Sequence, residues 1–412
     1  MLTRVSGRRP WPISQRIPDR PSPAVPWGLL KDPQARLCEN LTDMGKRQVT
    51  WRAEPHTIAK HRILRAYLDA WIPIMGSAAT RRGGGRLVFV DGFAGPGSYE
   101  GGEPGSPVVA LRSYLDHPHR DAMNVEYVCL FIDADARCIA NLETVVLPSL
   151  GSLPTNVHTQ CRVGSFDENM RGLLDGIVRE GKHLAPTFAF VDPFGFSDTP
   201  MSLIARLLDQ PRSEVMITFM VEPVNRFLEH PDSKIAARYD DLFGDAGWRD
   251  LTNQPKRINA LSEFYGRQLL RHGAKFVCSF RMLDAGGRPI YDLWFATKHL
   301  EGLKKMKRAM WKVDPVSGTR FSDRIAQNET LFGPEPDTVG PANRLCAALA
   351  GRTVQILDVE EWVLTQTGLH DGHIRRGLLM PLEDSGKIKF VPGSSSPRHR
   401  GQYPQGCRVT FL

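Results

Sequence analysis

Three apolar runs that each close on an aspartate constrain this chain more than any other feature. Leu87-Val88-Phe89-Val90-Asp91 leads into Gly92-Phe93-Ala94-Gly95-Pro96-Gly97, Val128-Cys129-Leu130-Phe131-Ile132 ends at Asp133, and Phe188-Ala189-Phe190-Val191 ends at Asp192-Pro193-Phe194-Gly195. A short continuous apolar run is the mark of a strand covered on both faces in a parallel sheet, and segments of helical character lie between these three. Carboxylates gathered at one rim of such a sheet are costly unless a ligand or a neighbour hydrogen-bonds them. Open α/β sheets bind their ligands just beyond the carboxyl ends of the strands, and glycines there let the backbone approach a ligand closely. One acidic strand end is explained equally well by a polar turn; three in order predict a nucleotide-type cofactor site.

The chain's 412 residues accommodate a large domain and a small one. Residues 1–50 are rich in proline and arginine, with no apolar core behind the early arginines, which predicts a poorly ordered tail and not a secretory signal; an upstream start codon is the alternative account of the same segment. From Trp51, apolar residues at Ile58, Ile63, Leu64, Tyr67, Leu68, Trp71 and Ile72 recur at helical spacing until Pro73, which predicts a helix that is disrupted there. Lys60 and His61 on it are read as surface residues, with contact to the acidic rim as the alternative. Gly101 to Pro107 reads as a flexible insertion at the ligand-binding end, where substrate loops sit, with a plain helix start, Ser106 as the N-cap and Pro107 in the first turn, as the equal alternative.

Glu214 to Val221 predicts another buried strand, and residues 223–272 a mostly helical, polar insertion that forms a lid or subdomain, with Asn225 and Arg226 as candidate substrate contacts. Lys275 to Leu283 and Ile290 to Thr297, joined by Asp284-Ala285-Gly286-Gly287-Arg288-Pro289, predict a β-hairpin. Leu303, Met306, Met310 and Trp311 then lie opposite Lys304, Lys305, Lys307 and Arg308, a basic side read as a solvated face or, alternatively, a phosphate-contacting one. The first domain is thus placed at 51–333, and Pro334, Pro336, Gly340 and Pro341 mark a linker over 334–341.

Residues 342–412 read as three short helices, about 342–349, 359–367 and 371–385, followed by β segments at 387–391 and 407–411 around a basic, glycine- and serine-rich loop. This is the pattern of a winged helix-turn-helix, whose last helix enters the major groove of DNA in many modules. It points His373, Arg375 and Arg376 at nucleic acid, with Arg398 and Arg400 on the wing; docking another protein is the other common use of such a module. The formal net charge of +8 permits a polyanionic partner without requiring one. Seven cysteines without a CxxC pair argue against a metal site, and with no long uncharged apolar stretch they predict a cytoplasmic protein without a membrane span.

The fold class that fits this order is α/β: a Rossmann-like class I methyltransferase sheet, mostly parallel with a closing antiparallel hairpin, plus the small winged helix. A dehydrogenase shares the glycine turn and the second acid but not the closing hairpin. In the methyltransferase arrangement S-adenosylmethionine lays its amino acid part over Gly92, Phe93, Ala94, Gly95 and Gly97, with Asp91 near the ammonium. Asp133 accepts from the ribose hydroxyls. Asp167, in Gly164-Ser165-Phe166-Asp167, accepts from the adenine amine or is a turn residue.

Asp192-Pro193-Phe194-Gly195 resembles the Asp-Pro-Pro-Tyr type motif of amino-group methyltransferases, and is similar to the motif of enzymes that methylate the exocyclic amine of guanine in tRNA. Such an amine is a poor nucleophile while its lone pair conjugates with the ring. The Asp192 carboxylate and the Pro193 carbonyl can hold its protons and turn the lone pair outward, while Phe194 stacks on the base. The same residues also suit a plain strand-to-turn junction with a buried phenylalanine.

With these motifs in place, the chain resembles the three-Cys-motif partner protein family, TcmP. The matching features are Trp51, Lys60 and His61, the Val90 to Gly97 loop, Gly105-Ser106-Pro107, Val191 to Phe196, and Phe295-Ala296-Thr297 with Met306, Met310 and Trp311; they span about Trp51 to Asp323. The resemblance implies a methyltransferase-like fold, a terminal winged helix, and a genomic or physical partner that carries the three-cysteine motif and supplies iron-sulfur or radical chemistry. Phe194-Gly195 departs from many DNA amino-methyltransferases, which have proline and an aromatic there. The function expected is an S-adenosylmethionine-dependent N-methyltransferase acting on a nucleobase amine in DNA or RNA alongside that partner. A non-catalytic adaptor that docks a partner enzyme through the winged helix is the alternative.

Overall fold

The structure is a computed structural model that describes residues 49–196, 198–324, 335–393 and 399–412; nearly all of the 1–50 tail, Pro334 of the linker and Arg398 of the wing lie outside them. Helix α1 (Pro55–Thr80) precedes β1 (Gly85–Asp91), α2 (Ser106–Leu115), β2 (Val125–Asp133), α3 (Ala136–Asn141), β3 (Val157–Val163), α4 (Phe166–Arg179), β4 (Thr187–Val191), α5 (Met201–Asp209) and β5 (Ser213–Phe219). Then follow α6 (Val221–Phe227), α7 (Ser233–Phe243), α8 (Arg257–Arg271), β6 (Phe276–Leu283), β7 (Pro289–Thr297), α9 (Leu300–Trp311) and β8 (Arg320–Ser322). These strands form one sheet in the order β3-β2-β1-β4-β5-β7-β6-β8, with β7 antiparallel to both of its neighbours.

Side chains alternate across the sheet, as a period of two demands. Leu87 and Phe89 enter one core with α1, α2 and α9, whereas Val88 and Val90 enter the other with α4, α5 and α8. Asp91 pairs in register with Phe131 on β2 and Phe190 on β4, so Asp133 and Asp192, two residues further along, emerge at the same rim. Phe219 pairs with Asp292, which brings the start of the antiparallel β7 to that rim as well.

Two expectations change here. Helix α1 does not end at Pro73 but runs through it to Thr80. Proline removes one helical hydrogen bond and crowds the preceding turn, yet Trp71 and Ile72 before it and Gly76 and Ala79 after it are all buried on the sheet side, and that burial holds both halves in line. Nor is the 223–272 segment a lid. Val224, Tyr239, Leu242, Phe243, Leu261, Tyr265 and Leu269 are buried in the second core, so these helices cover the sheet.

The terminal unit comprises α10 (Val339–Leu349), β9 (Thr353–Gln355), α11 (Ile356–Gln366), a helical rod α12 built of Asp371–His373, Ile374–Leu379 and Met380–Asp384, then β10 (Ile388–Val391) and β11 (Arg408–Phe411). Its small sheet has the order β10-β11-β9. Its core takes in Leu303 and Trp311 from α9, and the basic side of α9 joins the contact. Lys307, 4% exposed, donates to the carbonyls of Thr367 and Leu369, and Arg308 makes two hydrogen bonds to the Asp371 carboxylate at 2.7 and 2.5 Å. Burial lowers the Lys307 ammonium to about 8. The expected solvated face is therefore, at these two residues, a docking face. Trp311 also donates its indole N–H to Gly368 at 2.8 Å. Trp311→Ala should cost about 3–5 kcal/mol and loosen the terminal unit, seen in calorimetry as an earlier, separate melting transition.

Candidate active site

Asp91 ends β1 fully buried. Its Oδ1 accepts the Phe93 N–H at 3.3 Å, and its Oδ2 is buried without a hydrogen-bond partner. Burial raises its carboxyl to about 7; the Ser106 hydroxyl and the Phe93 N–H pull downward, and the charges of Asp192 and Asp133 add to the rise. Ser106 is not the N-cap of α2, since Gly105 holds that place and Ser106 is the first helical residue. Its burial at 6% exposure goes with its position beside Asp91.

The Gly92 to Gly97 loop is drawn down onto Asp133, whose Oδ2 accepts the Gly95 N–H at 2.8 Å while Oδ1 accepts that of Asp135 at 2.8 Å. Two glycines here are demanded by packing. A Cβ on Gly92 would lie 2.6 Å from the Phe166 ring, and Gly97, at φ 83°, has Leu142 2.7 Å from where its Cβ would stand. The expected flexible insertion is an ordered tight hairpin: Ser98 bridges Pro104, Tyr99 N–H donates to Glu103 O, and Gly105 N–H donates to Gly97 O at 2.8 Å. Asp167 stands on the first turn of α4, next to the Phe166 that packs on Phe93, and accepts from Arg171 at 2.7 Å.

Asp192 is held from two sides. Thr218 donates to its Oδ1 at 2.5 Å, and Lys60 forms an ion pair with its Oδ2. Lys60 is 5% exposed, with its ammonium 5.2 Å from the centre of the Tyr291 ring. The surface reading of Lys60 and His61 is thus overturned. A buried ammonium needs a carboxylate partner, and α1 carries Lys60 to the rim on the same face as Leu64, Tyr67 and Trp71. His61 is 8% exposed beside Tyr99; burial and the Lys60 charge lower its imidazole to about 4, so it is neutral at pH 7.

Pro193 is buried but Phe194 is 80% exposed, which removes the buried-junction reading of that ring. Phe194 meets Trp51 edge to face at 5.9 Å, and Trp51 in turn meets Tyr99 at 6.1 Å. An aromatic rim thus stands beside Asp192. Lys60, Thr218, Tyr99 and Tyr291 complete the site, and of these only Lys60 left a trace in the sequence, as a charge in phase with an apolar helix face.

The residues assigned to nucleic acid are dispersed. His373 lies 4.1 Å from the Trp311 ring and 3.9 Å from His370, with its Nδ1 buried, so it faces α9 and not outward. Arg375 donates to Glu360 at 3.0 Å and Arg400 to Asp384 at 2.6 Å. Arg376 is exposed on α12. Asn225 accepts from Arg257 at 2.7 Å, an internal contact. Among the described residues no cluster of histidine, cysteine and carboxylate side chains could hold a metal ion, and no helix is long and apolar enough to cross a membrane.

No protein-family model matches the chain, and no curated protein is significantly similar to it. Among solved structures it is similar to Trm1 from Pyrococcus horikoshii in complex with S-adenosyl-L-methionine, at 14% identity and a TM-score of 0.34 over 63% of this chain. The chain spans 59% of that protein's length. A SAM-dependent methyltransferase from Methanosarcina mazei is similar at 11% identity and a TM-score of 0.26, over 52% of this chain and 92% of that one. It is the strand order, with β7 antiparallel beside β5, that makes the large sheet a class I methyltransferase fold.

Proposed function

We propose that this protein is an S-adenosylmethionine-dependent N-methyltransferase that acts on the exocyclic amine of a nucleobase. One observation carries the reading: neighbouring strands β1 and β4 present two carboxylates at one rim, Asp91 with an orphaned oxygen and Asp192 beside an exposed aromatic pair. A buried carboxylate oxygen with no partner is costly, and the cofactor's ammonium is a partner of the right charge. The cofactor, when bound, supplies an electrophilic methyl group. Asp133 keeps lone pairs for ribose hydroxyls beyond the two backbone donors it already serves. Asp167, beside the Phe166 that buttresses the loop, is the proposed contact for the adenine amine.

The chain's own work falls to Asp192, Pro193 and Phe194. Thr218 and Lys60 hold the Asp192 carboxylate in place, so that it can accept a hydrogen bond from one N–H of the amine, turn the nitrogen lone pair out of the ring and take up that proton as the methyl group is transferred. The Pro193 carbonyl accepts a hydrogen bond from the amine's other N–H, which stays on the methylated nitrogen, and Phe194 with Trp51 clamps the base. Base–aromatic stacking contributes about 1–3 kcal/mol per base. Phe194→Ala should accordingly raise KM for the nucleic-acid substrate about tenfold or more and leave cofactor affinity unchanged, checked by initial-rate kinetics beside calorimetry.

The terminal unit, with its order helix, strand, helix, helix, hairpin, supports a winged-helix reading, and within that unit Arg376 is exposed without an ion-pair partner among the described residues. The resemblance to the TcmP family adds a three-Cys-motif partner in the cytoplasm to the proposal. An adaptor without catalysis is the second reading. It is favoured by the occupation of both Asp192 oxygens by Lys60 and Thr218, and predicts full partner binding by an Asp192→Asn variant with no methyl transfer in either protein.

A further inference from the structure

Two open surface depressions flank the turn between β6 and β7. One, of about 530 Å³, is lined by Thr252, Asn253, Gln254, Lys256, Arg257 and Asn259 among others. The other, of about 280 Å³, is lined by the turn glycines Gly286 and Gly287 with Arg320, Ser322 and Arg324. Each is linked through the chain to a residue near the proposed active site. Pro289 borders the first, and Tyr291, two residues on, lies against Lys60. Arg324 borders the second, and its neighbour Asp323 pairs with His56 on the first turn of α1 at 3.0 Å.

The exposed charge along this rim is predominantly basic. Arg226, Lys256, Arg288, Arg320 and Arg324 are exposed, and none has a carboxylate partner among the described residues. Of the acids nearby, Asp292 pairs with Arg281, Glu229 with Arg257 and Asp323 with His56, and Asp284 accepts from the backbone of its own turn, while exposed Glu263 and Asp250 have no ion pair among the described residues. Lys256 is also the one non-glycine residue with positive φ among the described residues, at 59°. That left-handed backbone is unfavourable for a lysine and is kept where surrounding structure or function requires it. The same depression presents the amides of Asn253 and Gln254, which both donate and accept, together with the Thr252 hydroxyl, which donates to Arg249 O, and the Asn259 amide, whose oxygen accepts from Arg281. Groups that both donate and accept are what a ribose 2′-hydroxyl calls for, while the cations suit phosphates.

We infer that this rim is the path of a single-stranded RNA: phosphates lie on Lys256, Arg288, Arg320 and Arg324, 2′-hydroxyls meet the Asn253–Asn259 cavity, and the next base reaches Phe194. The inference rests on the methyltransferase reading for its last step and on the rim's own chemistry for the rest. Neither the α12 arginines nor the wing takes part in it.

The test is fluorescence anisotropy with a labelled mixed-sequence 20-nucleotide RNA and the DNA of the same sequence, on the full chain and on a Lys256→Ala, Arg288→Ala, Arg320→Ala variant. Calorimetry with S-adenosylmethionine runs in parallel. The expected result is RNA bound more tightly than DNA, at least tenfold weaker RNA binding by the variant, and a salt dependence reduced by about two ion equivalents. Cofactor binding stays unchanged. Arg288→Gln alone, on the exposed turn, should weaken RNA about threefold by the same screened phosphate contact and guards against misfolding of the triple variant. Unchanged RNA affinity in both variants overturns the surface, and equal affinity for DNA overturns its assignment to RNA. RNA binding lost in the variants of a protein that never binds S-adenosylmethionine would keep the surface and bring down the methyltransferase reading.

Discussion

Asp192→Asn is expected to lower methyl transfer by about 10²–10⁴-fold, the range for removing a positioned acid–base group, while S-adenosylmethionine binds as before. The amide keeps an acceptor oxygen and the shape of the side chain, so the Thr218 hydrogen bond to position 192 survives. What is lost is the negative charge that Lys60 faces and that draws protons off an amine. The substitution also leaves Lys60 as a buried ammonium without its counter-ion, a state that costs several kcal/mol where it cannot relax to water. A falling thermal midpoint together with abolished transfer and intact cofactor affinity is the signature expected from calorimetry and a labelled-methyl assay. Loss of cofactor affinity in parallel would mean that Asp192 holds the cofactor and not the acceptor amine.

Asp91→Asn should act in the opposite sense on stability. The carboxyl is raised from 3.8 to about 7 in the folded chain, chiefly by burial. A raised carboxyl favours the folded state fully below its unfolded value, and that contribution is lost as pH rises from about 4 through about 7. At pH 8 the charged Asp91 therefore costs a few kcal/mol, and asparagine removes the cost: the variant should melt higher than the parent at pH 8 and not at pH 4. Cofactor binding should move the other way. Removing one member of a buried charge pair costs about 2–5 kcal/mol, so affinity should fall at least about thirtyfold. In the parent, binding needs the ionised carboxylate and should weaken about tenfold for each pH unit below 7, with proton release on binding. That slope should vanish in the variant. A variant less stable at pH 8, yet binding S-adenosylmethionine normally, would show that Asp91 is a structural carboxyl.

The strands that carry the site were legible because they are covered on both faces: Leu87 to Val90 and Phe188 to Val191 leave no polar residue to break the run. Glycines at 92 and 97 were legible for a related reason, since packing at both, and a positive φ at Gly97, admit nothing larger. Strand β3, Val157-His158-Thr159-Gln160-Cys161-Arg162-Val163, lies at the sheet edge, is only half covered and gives no such signal. Strands β8 and β9, of three residues each, are defined by their partners and not by their composition.

The site's supporting groups were hidden for another reason. Lys60 and Asp192 are 132 residues apart, and nothing local to either foretells the ion pair. His373 looked like a groove-facing residue because its helix was read in isolation, whereas Trp311 and Lys307 of α9 claim that end of the terminal unit. The exposure of Phe194 removes the buried ring from the strand-to-turn reading of its motif, and no local pattern in the sequence foretells that exposure.

The most direct test of the central claim is to incubate the purified protein with methyl-labelled S-adenosylmethionine and total RNA, digest the RNA and separate the nucleosides. Label in an N-methylated nucleoside, present with the parent and absent with Asp192→Asn, is the predicted result. Cofactor binding by the parent with no label in any nucleoside would contradict it.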